Sequence, residues 1–208
     1  ICEGLVGSEM CIRDRSNVLK AESVSEPLVI LDPGHGGEDG GTAVDGVLEK
    51  DLNLLLAHEI AESLKTHNVS VMLTRDSDKS VSLKDRAKLV NQFPNTIFIS
   101  IHHNAAEHPS AKGIETFFSE SKTKRAQEMQ KISLGIADEE SFTDNRSKIL
   151  AQILHSSACQ YTQSSDRGIH DRGFAMTRWI SGPAALIECG FLTNKEERKK
   201  LLSKSHRE

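Results

Sequence analysis

Short apolar runs and longer stretches with helical spacing alternate along the chain. Residues 28–31 form a branched apolar run that ends at Asp32-Pro33-Gly34, which is typical of a buried strand entering a tight turn. From residue 48 to residue 65, apolar side chains recur every three or four positions. This spacing predicts a helix of about five turns. The beginning of the pattern is therefore a strand followed by a helix.

The same alternation continues towards the end of the chain. Further strands are predicted at residues 69–73, 96–101, 113–118, 173–177 and 184–189. Further helices are predicted at residues 82–90, 149–158 and 194–202. Ser82 and Asn194 are suited to cap the first and last of these helices. Alternation of this kind predicts an α/β fold with helices on both faces of a sheet, and ligand sites at the C-terminal ends of its strands.

A single domain is expected over residues 28–204, with a polar insertion at residues 119–146. The insertion is rich in Lys, Glu and Ser and has no clear period before residues 129–136. Two interpretations stay open for it. It is either a solvated excursion with one short helix, or a lid or regulatory segment.

The composition is that of an ordinary soluble globular protein. Of the 208 residues, 37% are hydrophobic and 27% are charged, which allows one substantial core. The net charge of -4 comes from interspersed acidic and basic residues, without the basic stripe of a nucleic-acid-binding protein. No apolar run reaches the roughly 18 residues that a membrane span needs. We therefore expect neither a nucleic-acid partner nor a membrane span.

The first residues do not read as part of the fold. Residues 10–15 resemble a translated sequencing-library adapter, so residues 1–15 are interpreted as non-native and residues 16–27 as a lead-in. No secretory signal is recognised there.

Outside residues 1–15, the cysteines of the chain are Cys159 and Cys189. Neither has a Cys-x-x-Cys partner, so cysteine metal chemistry is not expected. Cys189 is interpreted as a small core hydrophobe.

His35 and Glu49 stand where a metal site could be built. His35 follows the first predicted strand between Gly34 and Gly36, where the backbone can turn sharply. Glu49 shares the helical stripe that should face the sheet. Each also has an ordinary interpretation, His35 as a loop residue and Glu49 as a first-turn acid that complements the helix dipole. A phosphate cradle is disfavoured because the glycines lack the usual lysine.

Two histidines and one glutamate lie at the ends of predicted strands. Neighbours on a strand point to opposite faces, so only one of His102 and His103 can enter a given site, and the alternation does not choose between them. Glu188 follows the apolar residues 184–187, where burial strengthens a carboxylate as a proton acceptor. Two imidazoles and one carboxylate are the usual protein ligands of a hydrolytic zinc, which would leave Glu188 as the base.

Four sequence blocks resemble the signature blocks of the zinc-dependent N-acetylmuramoyl-L-alanine amidases. They are LDPGHGG at residues 31–37, LEKDLN at 48–53, SIHHN at 100–104 and LIECGFLTN at 186–194. The blocks occur in the order of the family, and the resemblance extends over residues 28–202. The chain looks most similar to the compact amidases of spore-forming bacteria.

The resemblance implies a ligand set, a fold and a reaction. One zinc ion would be bound by His35, Glu49 and His102, with Glu188 as the catalytic acid/base and Asn104 as a substrate contact. The fold would be a three-layer sandwich around a mixed, mostly parallel sheet of about six strands. The substrate would be the amide bond between N-acetylmuramic acid and L-alanine in peptidoglycan, at a periplasmic or extracellular, wall-associated location. The sequence names no regulatory partner.

Two other functions stay open beside this one. A zinc peptidase that cuts within the peptidoglycan stem peptide would use the same metal ligands. A metal-free wall-binding module would lack at least one of the ligands, whereas the sequence has all three. The products of peptidoglycan digestion distinguish the amidase from the zinc peptidase.

Overall fold

The computed structural model describes residues 27–93, 95–134 and 145–207. The predicted non-native segment, most of the lead-in and residues 135–144 of the predicted insertion lie outside these ranges. The strands are β1 (Leu28–Pro33), β2 (Ala43–Val44), β3 (Val47–Leu48), β4 (Val71–Leu73), β5 (Thr96–Asn104), β6 (Ile114–Phe118), β7 (Asp166–Asp171) and β8 (Ala184–Phe191). The helices are α1 (Glu49–Thr66), α2 (Leu83–Val90), α3 (Lys124–Leu134), α4 (Arg146–Thr162), α5 (Ala175–Trp179), α6 (Lys195–Leu202) and α7 (Lys204–Arg207).

Six of the strands form one sheet in the order β4-β1-β5-β8-β6-β7. The pairs β4-β1, β1-β5, β5-β8 and β6-β7 are parallel, and β6 is antiparallel to β8. The predicted α/β class with a mixed, mostly parallel six-stranded sheet is confirmed. The C-terminal ends of β1, β5 and β8 meet at one edge, because these three strands are parallel neighbours.

Apolar side chains cover both faces of the sheet. On one face, Ala57 and Ala61 of α1 pack with Leu31 and Ile101, the odd-numbered residues of β1 and β5. On the other face, helices α2 and α5 pack against the even-numbered residues of the strands. This second cluster contains Ile30, Ala87, Val90, Phe98, Met176, Ile180 and Ala184. The alternation of the strands therefore places the even-numbered β5 and β8 residues on the α2 and α5 side.

The predicted strand at residues 173–177 is wrong. The strand that completes the six-stranded sheet is instead β7, and residues 175–179 form the short helix α5. β7 lies at the edge of the sheet and has the sequence DRGIHD with no fully buried residue, so it lacks the apolar run by which a buried strand is found. Met176 and Ile180 are apolar because α5 packs them against the sheet.

The predicted helices are confirmed, with different bounds. Ser82 and Asn194 cap α2 and α6, each accepting a hydrogen bond from the backbone of the first turn. α4 begins three residues before the predicted start, at Arg146, and ends at Thr162. The described part of the predicted insertion contains α3. Within the described ranges, no helix combines the length and the apolar character needed to cross a membrane.

Cys189 packs in the apolar cluster beneath α1, as predicted for a small core hydrophobe. Burial raises the pKa of its thiol to about 12, so the neutral form is retained. The side chain therefore contributes packing and not an accessible thiolate.

A buried ion pair joins the first strand to α2. Arg86 Nη1 lies 2.7 Å from Asp32 Oδ1, and the side chains are 4% and 2% exposed. Thr74 and Ser100 also donate hydrogen bonds to the Asp32 carboxylate. The same guanidinium donates to the backbone carbonyl of His35, so the pair anchors the loop that follows β1.

Replacing Arg86 by Met is expected to lower the free energy of unfolding by about 3–5 kcal/mol, because Asp32 would remain as a buried charge without its cation. Urea unfolding followed by circular dichroism measures the change. Lys65→Met is the control, since the Lys65–Glu62 pair is exposed and contributes little. Equal unfolding midpoints for the two variants would contradict the assigned role of the pair.

Candidate metal centre

The loop after β1 is held by two buried arginines. Arg75 donates to the carbonyls of Pro33 and Gly34, and Arg86 donates to those of Pro33 and His35. His35 has a left-handed backbone with φ 61°, which is uncommon for a residue other than glycine. Backbone strain of this kind persists where the surroundings fix it and is frequent at functional sites. The hydrogen bonds therefore fix the direction of the imidazole.

Two glycines of this region allow close approach of the site side chains. A Cβ added at Gly34 would overlap the His102 ring. A Cβ added at Gly41 would lie 2.6 Å from Glu49 Oε2 and 2.7 Å from His35 Cδ2, and Gly41 also has a left-handed φ of 64°. Gly34 and Gly41 are thus explained by the space that the imidazoles and the carboxylate need.

His35, Glu49 and His102 converge on one point at the C-terminal edge of the sheet. Glu49 Oε1 lies 3.1 Å from His35 Nε2 and 3.0 Å from His102 Nδ1. The two imidazole rings are 4.9 Å apart and nearly perpendicular. Glu49 is 4% exposed, whereas both histidines are partly open to solvent. The three residues singled out from the sequence as metal ligands are therefore brought together.

Further contacts orient these three side chains. Asp39 Oδ2 lies 2.8 Å from His35 Nδ1, so a proton on Nδ1 leaves Nε2 directed at Glu49. Glu49 Oε2 accepts a hydrogen bond from the backbone of Thr42, which the short hairpin of β2 and β3 places beside the start of α1. Sequence reasoning did not identify Asp39. Nothing distinguishes it from the other acidic residues of a polar loop until the fold closes around His35.

The electrostatics of this trio favour a cation. The hydrogen bond to Glu49 is the largest effect on His35 and raises its pKa to about 9, against the opposing effect of burial. Burial alone would raise the pKa of Glu49, but the hydrogen bonds with His102 and His35 lower it far below its usual value. The trio thus combines a buried, ionised carboxylate with two imidazole nitrogens, a donor set that suits zinc.

His103 points away from the trio. It is 2% exposed, and its Nδ1 lies 2.7 Å from Asn53 Oδ1 on α1. Burial lowers its pKa to about 4, which keeps the ring neutral. The opposite directions expected for His102 and His103 are confirmed, and His102 is the one that lies beside Glu49.

Glu188 lies on β8 directly opposite His102 in the strand register. Within the described part of the chain, its Oε2 is buried and has no hydrogen-bond partner. Burial is the largest effect on this carboxyl and raises its pKa to about 7. A carboxyl that changes protonation near neutral pH and keeps an uncommitted oxygen is suited to accept and return a proton.

A cleft of about 340 Å³ lies beside Glu188. Asn104 lines it, together with Phe117, Arg172 and Phe191. The Asn104 side-chain oxygen accepts a hydrogen bond from the backbone of Ala105. Glu188 lines the same cleft, and the role of Asn104 as a substrate contact stays a prediction.

The chain is similar to proteins of one family over most of its length. A profile described as N-acetylmuramoyl-L-alanine amidase matches residues 29–208. The germination-specific N-acetylmuramoyl-L-alanine amidase of Bacillus subtilis (strain 168) is 31% identical over 188 residues, covering 84% of this chain and 70% of that protein. The N-acetylmuramoyl-L-alanine amidase LytC of the same organism is 28% identical over 186 residues, covering 89% of this chain and 33% of LytC.

The solved structures show the same likeness. The crystal structure of N-acetylmuramoyl-L-alanine amidase from Clostridium difficile 630 superposes with a TM-score of 0.73 and is 34% identical. The superposition covers 88% of this chain and 89% of that chain. The similarity therefore extends over most of both chains.

Proposed function

Because the chain belongs to the N-acetylmuramoyl-L-alanine amidase family, whose members are hydrolases of peptidoglycan, we propose that it cuts its substrate with a zinc ion held by His35, Glu49 and His102. Glu188 is the catalytic acid/base of this proposal. The bond cut is the amide between N-acetylmuramic acid and L-alanine. The observation that carries the proposal is the convergence of two imidazole nitrogens on Glu49 Oε1, at 3.1 and 3.0 Å.

The residues present fit a zinc ion on three counts. The donor set is two nitrogens and one carboxylate oxygen, which is a common protein ligand set of hydrolytic zinc. The Asp39–His35 hydrogen bond is the kind of supporting contact that orients a metal-binding imidazole. Both histidines are partly open to solvent, which leaves room for the water ligand that a catalytic zinc needs.

The chemistry divides between the metal and the protein. When bound, zinc polarises the amide carbonyl and lowers the pKa of water towards neutrality. Glu188 accepts the proton of the attacking water through its uncommitted Oε2. It then returns that proton to the nitrogen of the departing L-alanine, and the C–N bond breaks to give a carboxylic acid and a free amine. The carboxylic acid then loses its proton to solvent. The cleft beside Glu188 holds the substrate, with Asn104 as one contact.

Digestion of purified peptidoglycan identifies the bond that is cut. An amidase releases intact stem peptides with a free N-terminal L-alanine and leaves the glycan strands unbroken. A zinc peptidase would release shortened peptides and leave L-alanine attached to the sugar. Mass analysis of the soluble products therefore decides between them, and shortened peptides alone would refute the proposed bond.

The site of action follows from the substrate. Peptidoglycan lies outside the cytoplasmic membrane, so the protein acts at the cell wall, in the periplasm or outside the cell. The similarity to a germination-specific amidase is consistent with a role in spore wall or cell wall turnover.

Replacing His102 by Ala is expected to remove one equivalent of zinc per chain and the amidase activity with it. His103→Ala is the matched neighbour and is expected to retain that zinc. It should lose about 1–3 kcal/mol of stability, because Asn53 Oδ1 would remain buried without its partner. Metal analysis and thermal unfolding of both variants give the result. Loss of zinc from the His103 variant alone would reverse the assignment.

A further inference from the structure

A second group of metal-binding side chains lies between α4 and β7. It consists of His155, Cys159 and Asp166, whose ligand atoms all lie within 4.8 Å of one another. His155 Nε2 is 2.9 Å from Asp166 Oδ1 and 3.6 Å from Cys159 Sγ. His155 is 5% exposed, and the Asp166 side chain is 69% exposed. The group shares no residue with the proposed catalytic site.

The fold brings these three residues together from two elements. His155 and Cys159 are four residues apart in α4, so their side chains lie on the same face of the helix. The chain leaves α4 through Gln163, whose left-handed φ of 54° turns it back so that Asp166 starts β7 beside that face. The backbone of Gly168 donates to Asp166 Oδ1 and fixes the carboxylate.

The His155 ring is held from its other side. Its Nδ1 lies 3.0 Å from the buried hydroxyl of Thr116 on β6. When Nδ1–H donates to that hydroxyl, the lone pair of Nε2 faces Cys159 and Asp166. A hydrogen bond to the second ring nitrogen is the usual way in which a metal-binding histidine is oriented.

We propose that His155, Cys159 and Asp166 form a second site for a divalent transition metal, with zinc as the natural ion. Nitrogen, thiolate sulfur and carboxylate oxygen are its three protein ligands, and the exposed side next to Asp166 admits water as the fourth. On binding, the Cys159 thiol gives its proton to solvent and the thiolate bonds to the metal. This proposal departs from the sequence-based expectations of a single zinc ion and of no cysteine metal chemistry, which stay predictions.

The site would strengthen the β7 edge of the sheet. Among the described residues, β7 is an edge strand whose only partner is β6. Arg167, the residue after Asp166, forms an ion pair with Glu115 and lies 4.9 Å over the Phe191 ring. Glu115 in turn pairs with Glu188 in the strand register. A metal that ties Asp166 to α4 therefore also fixes the wall of the cleft beside Glu188.

Cobalt(II) reports on this site selectively. A cobalt–thiolate bond gives an intense near-ultraviolet absorption, and the catalytic trio contains no sulfur. The full chain carrying Cys2→Ser and Cys11→Ser serves as the parent, so that the thiols at the beginning of the chain do not contribute. We expect cobalt titration of this parent to produce the absorption and to saturate at one thiolate-bound ion per chain.

Three variants of the parent test the assignment. Cys159→Ser is expected to abolish the absorption, and Cys189→Ser is the matched control that keeps it. Asp166→Asn should weaken cobalt binding at least about tenfold. The variant should still fold, because Asp166 is exposed and the Asn side chain can still accept a hydrogen bond from His155. Equal circular dichroism spectra without metal check this. No absorption in the parent, or an absorption that persists in Cys159→Ser, would overturn the proposal and leave His155 as a hydrogen-bonded link between α4 and β7.

Discussion

Glu188→Gln is expected to lower kcat by about 100- to 10,000-fold, the range found when a general acid/base is removed. Glutamine has nearly the same shape as glutamate and still fits at position 188 of β8, opposite His102 of β5. It cannot accept the proton of the attacking water. Zinc content and the melting temperature should therefore stay close to those of the parent. The loss should appear in kcat, because Glu188 acts in the transition state and not in substrate binding.

The experiment is digestion of purified peptidoglycan with parent and variant at equal zinc content. Glu62→Gln makes the same chemical change on the exposed face of α1 and is the control for the substitution itself. Full activity of a zinc-loaded Glu188→Gln protein would refute the catalytic role. Loss of activity accompanied by loss of zinc would move Glu188 from acid/base to a contributor to metal binding.

The buried strands could be predicted because burial leaves a pattern in the sequence. β1, β5 and β8 are apolar runs that lie in the centre of the sheet, and a polar residue at their ends stands out against that background. Glu188 was found in this way. β7 could not be found, because a solvent-exposed edge strand needs no apolar run. The nearby residues of α5 resemble a strand in the sequence because the helix packs Met176 and Ile180 against the sheet.

For the candidate site, the proposed metal ligands could be predicted from the sequence, but the residues that orient them could not. His35 and Glu49 stand out as polar residues beside predicted buried elements, and the resemblance of the four blocks to a known family assigns His102 rather than His103. Asp39 and Thr42 support the trio through loop geometry, which leaves no periodic signal. His155 was also missed, since a histidine in a helix has many ordinary roles until another element closes against it.

Removing zinc from the catalytic trio is expected to reduce amidase activity to background, because Glu188 alone does not polarise the amide carbonyl. Incubation with 1,10-phenanthroline followed by desalting gives the metal-free protein. Adding back zinc should restore activity with a stoichiometry that reveals how many ions are needed. The Asp166→Asn variant is the most informative protein for this titration, since it should keep the catalytic site and lose tight binding at the second one.

In that variant, activity should return in full with one equivalent of zinc, and zinc should also raise the melting temperature because it binds only the folded state. Glu49→Gln removes the carboxylate that contacts both imidazoles, so zinc should no longer restore activity at that concentration. Activity that survives chelation, with residual zinc well below one ion per chain, would refute a zinc mechanism. Recovery only after two equivalents in Asp166→Asn would contradict this expectation.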